Sequence, residues 1–109
     1  MYDPTQAKID SLQQDAAIRA YWLVRTARES GIPLMIISGY RSADLNRSVG
    51  GAPASKHLSG RAFDVQVQGF TRDELPISWW TALGSWAEQN LGLRWGGRFS
   101  TPDVNHFDV

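Results

Sequence analysis

Ser55-Lys56-His57-Leu58-Ser59-Gly60-Arg61-Ala62-Phe63-Asp64-Val65-Gln66-Val67 holds one of the two histidines in this 109-residue chain. Its second half alternates apolar and polar residues. That period of two predicts a strand over residues 62–67, with Phe63, Val65 and Val67 on one face and Asp64 and Gln66 on the other. The apolar face needs a roof, and the polar face, carrying Asp64, is expected to line a cleft. The second histidine lies in Asp103-Val104-Asn105-His106-Phe107-Asp108. Alternation there puts His106 and Asp108 on one strand face and Phe107 and Val109 on the apolar one. A histidine and a carboxylate seven residues apart, joined by a distant second histidine, suit the three ligands of an open zinc site.

The roof is found on either side. Ile9, Leu12, Ala16, Ala20, Leu23, Val24 and Ala27 recur at steps of three and four, which predicts one long amphipathic helix. Asp3-Pro4 would start it, and Gly31 and Pro33 would stop it. Leu34 to Ser38 is a short apolar run between Pro33 and Gly39, as expected of a buried strand. Ser42 is placed to cap a short helix over Ala43–Arg47, and the glycines and proline of residues 49–54 predict a loop. After a polar turn over residues 71–76, Ser78 would cap a second helix carrying Trp79, Trp80, Leu83, Trp86, Ala87 and Leu91. Leu93–Trp95 is a further short strand, followed by a turn over residues 96–99. Strands and helices do not alternate strictly. The expected fold is therefore α+β, a small, largely antiparallel sheet packed against the N-terminal helix and the second helix.

Bulk properties narrow the function classes. The length suits a single domain spanning residues 1–109, and 42% hydrophobic with 20% charged residues is ordinary for a globular protein. A formal net charge of zero gives no argument for nucleic acid or an anionic membrane as partner, and no apolar stretch approaches a membrane span. A monomer is expected. With no cysteine, any transition metal must be held by imidazole and carboxylate. No signal peptide is visible at Met1-Tyr2-Asp3-Pro4, which leaves three routes: action where the protein is made, export by other means, or a leader already removed.

Residue types and spacing leave two readings of the histidines open, metal ligands or hydrogen-bonded structural side chains. The metal reading gains from Ser55, Ser59, Gly60 and Arg61, small and polar neighbours of His57 where a core histidine would have apolar ones. Carboxylates lie in both segments: Asp64 in one, Asp103 and Asp108 in the other.

Ser-x-His-x-x-Gly-x-Ala-x-Asp, from Ser55 to Asp64, resembles the signature of the M15 zinc peptidases, which include D-alanyl-D-alanine carboxypeptidases and the L-alanyl-D-glutamate endopeptidases found among phage endolysins. The resemblance continues in Ser38-Gly39-Tyr40-Arg41-Ser42, in Leu93-Arg94-Trp95-Gly96-Gly97 and in the C-terminal segment, whose ending is most similar to the endopeptidase-like branch. It implies a fold like that of these peptidases and of the hedgehog signalling domain. It also implies Zn2+ held by His57, Asp64 and His106, with Asp103 as general base and Arg41 beside the scissile bond. The implied substrate is the peptide stem of peptidoglycan, and the implied site of action is the bacterial cell wall or periplasm.

An L-alanyl-D-glutamate endopeptidase ranks ahead of a D-alanyl-D-alanine carboxypeptidase, because the latter needs a second fixed cation and no motif arginine beyond Arg41 is visible. A non-catalytic zinc-binding module is the rival of another class, and Asp103 speaks against it. Ser55 would bind substrate or a ligand, or be structural. Asp108 would orient an imidazole or be a solvated acid. Trp79, Trp80 and Trp86 read as core, whereas Trp95, nearest the site, is expected to face substrate. Arg47 and Arg61 are further candidates for attracting an acidic stem.

Overall fold

The computed structural model describes residues 4–109, so the Asp3 cap lies outside the described residues. Two helices, α1 (Thr5–Asp10) and α2 (Gln14–Glu29), lead into strand β1 (Leu34–Ser38) and the short helix α3 (Ala43–Ser48). A 3₁₀ turn at Lys56–Ser59 precedes β2 (Ala62–Val67), and a second at Arg72–Glu74 precedes helix α4 (Ile77–Leu91). The chain closes with β3 (Arg94–Trp95), a 3₁₀ turn at Gly96–Arg98 and β4 (His106–Asp108). The four strands form one sheet in the order β1-β2-β4-β3, with every neighbouring pair antiparallel. The expected α+β class is the one observed. Among the described residues no helix is long and apolar enough to cross a membrane.

Alternation along the strands divides the sheet into two chemical faces. On one, Phe63 lies opposite Phe107 and Trp95 opposite Phe107 from the other side. The two phenylalanine rings stack with centroids 5.8 Å apart, and both are fully buried. Leu34, Ile36, Val65 and Val67 extend this face, and Leu23, Val24 and Trp80 from the helices complete the core. Burying each large apolar side chain contributes about 1.5–3 kcal/mol.

The single N-terminal helix expected from periodicity is broken at Ser11–Gln13. The apolar period runs through the break, because Ile9, Leu12 and Ala16 all reach the same core. Local hydrogen bonding ends α1: the Ser11 hydroxyl donates to the Lys8 carbonyl at 2.6 Å, satisfying a group that the last helical turn leaves open. The break docks two loops. Ser11 Oγ accepts from the Tyr40 amide at 3.1 Å, and the Gln13 amide donates to the Gly60 carbonyl at 2.8 Å. Ser78 does not cap α4; the cap position is Pro76, in extended conformation, whose carbonyl accepts from the Trp79 amide. Ser42 does cap α3, accepting from the Leu45 amide. Trp80 is buried, and Trp79 and Trp86 are partly buried against the core.

The outer edge of β1 is covered by helix side chains. The Ile36 amide donates to the Thr5 hydroxyl at 3.1 Å, and Arg28 Nε donates to the Leu34 carbonyl at 3.0 Å.

Gly84 of α4 lies against the Trp95 indole, where an added Cβ would come within 2.2 Å of ring carbon Cδ2. Alanine normally favours a helix over glycine by about 1 kcal/mol. Here the backbone and a core ring both have to move, at a cost of about 1–3 kcal/mol. Gly84→Ala is therefore expected to destabilise the protein, read as a lower denaturant midpoint at an unchanged slope. A raised midpoint would contradict this packing.

Candidate metal centre

The register that stacks Phe63 on Phe107 also sets Asp64 opposite His106, so these two side chains meet on the sheet's other face. Ser38 of β1 is the partner of Asp64 on its far side, reached across a bulge at Ile37. His57 arrives from the 3₁₀ turn. The Ser55 hydroxyl accepts the His57 amide at 3.2 Å and starts that turn. The Gly39 carbonyl accepts from His57 Nδ1 at 2.8 Å, and the Arg41 amide donates to the His57 carbonyl at 3.0 Å. Because a carbonyl only accepts, Nδ1 carries the ring proton and Nε2 is left facing Asp64, 3.3 Å from Oδ2.

His57, Asp64 and His106 each direct one ligand atom to a common point, all within 4.8 Å of one another. Both histidines are buried and Asp64 is half-buried. His106 turns Nδ1 to Asp64 Oδ1 at 3.1 Å and Nε2 to Asp108 Oδ2 at 2.8 Å. Asp108 is thus the acceptor that orients an imidazole, and at 1% exposure it is not a solvated acid. Two imidazoles and one carboxylate, each imidazole with its second nitrogen engaged by an acceptor, form a donor set that fits zinc and leaves it an open position.

The charges suit a cation. Burial pushes the Asp64 carboxyl up, but hydrogen bonds from His106 and His57 outweigh it and hold the group down at about 2. Burial likewise opposes charge on His106, yet hydrogen bonds to Asp108 and Asp64 raise it to about 9. Asp108 is pulled down to about 2, its burial outweighed by His106 and Arg94. A cation at this point therefore meets a carboxylate that is held ionised.

The triad opens into a cleft of about 630 Å³ whose walls include Arg41, Ser55, Phe99 and Asp103. Arg41 is held by three contacts. It donates to Asn46 Oδ1 at 3.1 Å and to Ser38 Oγ at 3.2 Å, and its Nη2 lies 3.4 Å from Asp64 Oδ2. Asp103 is half-exposed, with Oδ2 4.0 Å from His106 Nδ1 and Oδ1 3.6 Å from Arg72. It reaches this place because Gly96 lets the chain pass close: an added Cβ there would lie 2.3 Å from the Asp103 carbonyl oxygen.

Trp95 corrects an expectation. It points away from the cleft, is buried in the core, and donates its indole N–H to the Val104 carbonyl at 2.7 Å. Strand alternation hands the cleft side to its neighbour Arg94. Arg47 and Arg61 are exposed and do not line the cleft, and Arg47 pairs with Asp44. Sequence reasoning did not single out Asn46, Lys56, Arg94 or Phe99. Asn46 is buried, and besides Arg41 it binds the Ala52 carbonyl at 2.9 Å, tying Arg41 to the loop over residues 50–52.

A family model described as Peptidase M15 matches residues 3–81. The chain belongs to the M15 peptidase family. Membership makes it a metallopeptidase, with His57, Asp64 and His106 as the residues able to hold the metal. The matched region includes Arg41, Ser55, His57 and Asp64, whereas Asp103 and His106 lie beyond it and join the site through the β2–β4 pairing.

Solved M15-like structures share the fold. The L-Ala D-Glu endopeptidase ChiX of Serratia marcescens is 23% identical with a TM-score of 0.67, over 96% of this chain and 85% of that one. The LD-carboxypeptidase LdcB is 21% identical with a TM-score of 0.67, over 90% of this chain and 58% of that one. The vancomycin-resistance D,D-pentapeptidase VanY, solved as an E175A mutant with Zn(II), is 16% identical with a TM-score of 0.63, over 90% and 72%. Among curated proteins none matches the chain.

The raised His106 value fixes the sign of a pH effect. Its folded value of about 9 against an ordinary 6.5 gives stability that is fully present below pH 6.5 and lost as pH rises through about 9. Chelator-treated M15 protein should therefore melt at progressively lower temperature across that window, and His106→Gln should flatten the dependence. A melting temperature that climbs over the same range would show that His106 is not held as a cation.

Proposed function

We propose that this M15 protein is a zinc peptidase that hydrolyses an amide bond in the peptide stem of peptidoglycan, acting as an L-alanyl-D-glutamate endopeptidase at the bacterial cell wall. The observation that carries the reading is the convergence of His57, Asp64 and His106 at the floor of a cleft, with Asp103 free of that triad and beside it.

When bound, zinc supplies Lewis acidity that polarises a carbonyl and brings the pKa of water down to about 7. The chain's own groups do the rest. Asp103, half-exposed and 4.0 Å from His106 Nδ1, is placed to take a proton from the attacking water and return it to the leaving amine. Arg41 is pinned by Asn46 and Ser38, so its guanidinium faces the developing oxyanion without having to reorganise. Ser55 lines the same cleft, and its hydroxyl, while accepting the His57 amide, keeps a proton to donate to substrate.

The cations of the cleft support an endopeptidase over a carboxypeptidase. Arg41 lies 3.4 Å from Asp64, Arg94 is bound by Asp108, and Lys56 donates to the Val109 carbonyl at 2.6 Å with Asp108 4.0 Å away. Arg94 and Lys56 already face Asp108 and Arg41 is taken by the scissile-bond oxygen, which leaves a substrate's terminal carboxylate without an uncommitted partner.

Asp103→Ala is expected to keep stoichiometric zinc while hydrolysis of purified muropeptides falls by about 10²–10⁴-fold. His57→Ala should lose both. Full activity in Asp103→Ala protein would remove its role as base, and zinc binding with no hydrolysis by the unaltered chain would favour an interaction module. Mass spectrometry of the products tests the bond: release of free D-alanine alone would sink the endopeptidase assignment.

A further inference from the structure

β3 is a two-residue edge strand whose alternation sends Trp95 into the core and Arg94 to the face that carries the metal centre. The catalytic scheme makes no use of Arg94, yet its bonding is specific. Arg94 is the β-sheet partner of Asp108, and its Nε and Nη2 donate side by side to the two carboxylate oxygens at 2.7 and 2.8 Å. The oxygen that accepts from Nη2 also accepts from His106 Nε2 at 2.8 Å. The same guanidinium lies over the Phe99 ring, 4.7 Å from its centroid, and that ring is 5.6 Å from the His106 imidazole. Arg94 thus backs His106 by two routes, one polar and one through stacking.

We propose that Arg94 is a positioning residue of the metal centre: by fixing the Asp108 carboxylate it keeps the His106 ring proton on Nε2 and presents Nδ1 to the metal. The inference rests on the metal-centre reading above. A carboxylate held by one hydrogen bond can swing about its side-chain torsion, and the imidazole it orients swings with it. A planar guanidinium gripping both oxygens fixes the carboxylate plane as well as its position. Lys56, with Nζ 4.0 Å from Asp108 Oδ1, adds positive charge but presents a single rotating ammonium, which cannot fix a plane. Arg94 lines the cleft, but its guanidinium is committed to Asp108 and Phe99, so it acts on the metal centre through them.

Zinc affinity measured by competition with a chromophoric chelator, together with ¹⁵N NMR of the His106 ring in zinc-loaded protein, tests this. Loss of an outer partner of a ligand typically weakens metal binding 10–100-fold, so Arg94→Ala is expected to bind zinc at least about tenfold more weakly. Its His106 Nε2 proton, no longer held by a fixed carboxylate, should also exchange faster with solvent. Arg94→Lys keeps the charge but not the two-pronged grip and should fall between; it serves as the reading if the alanine variant does not fold. Arg98→Ala removes a different surface arginine, paired with Glu88 and stacked on Trp95, and should leave affinity unchanged. In an Asp108→Asn background, Arg94→Ala should add little, because the path runs through that carboxylate. Unchanged affinity and Nε2-proton exchange in folded Arg94→Ala, or a full further loss in the Asp108→Asn background, would overturn the proposal. Unaltered protein that binds no zinc would instead overturn the metal-centre reading, and this inference with it.

Discussion

A slip of one residue between β2 and β4 would undo this molecule twice. In the observed register Asp64 faces His106 and Phe63 faces Phe107, so one alignment builds both the site and the aromatic centre of the core. Because side chains alternate with a period of two, a slip would turn His106 and Asp108 toward the helices and Phe107 toward water. The apolar half is what enforces the polar half: stacked rings under α2 and α4 lock a pairing that the ligands alone, whose mutual attraction is offset by their burial, would not select. Placement of the site is therefore a by-product of core packing.

His106 sits between two acids, Asp64 and Asp108, and the three groups form a buried charge cluster whose desolvation is met by mutual hydrogen bonds. Such clusters contribute little net stability, since burial cancels much of the attraction. What the cluster provides is asymmetry. Asp108 has almost no exposed surface and is gripped by Arg94 with Lys56 beside it, whereas Asp64 is partly exposed. A proton on the Asp108 side is fixed by that grip, and a proton on the Asp64 side can be exchanged for a metal ion. The same sheet row holds a permanent contact on one side and a replaceable one on the other.

Much of this was legible in the residues. Alternation over Ala62–Val67 and His106–Val109 placed Asp64 and His106 on polar faces, and Ser42 announced its helix by its capping chemistry. The signature motif then implied different roles for Asp64 and Asp103. The break at Ser11–Gln13 was not legible, because the apolar period continues through it and only a side-chain hydrogen bond marks it. Trp95 was misread from proximity along the chain, whereas orientation is decided by strand parity and by the room that Gly84 and Gly97 leave for the indole. Asp108 could not be placed because its partners, Arg94 and Lys56, come from 14 and 52 residues away, and only the register brings them together.

The side chains along the rim of β1 bear on how molecules of this protein meet each other. Thr5 and Arg28 occupy an amide and a carbonyl that would otherwise point outward from the sheet, and the opposite rim, β3, is only two residues long. Among the described residues, neither rim offers a long open run of backbone groups onto which a second chain could add a strand. A sheet guarded in this way is a poor template for strand addition by a second copy of the chain.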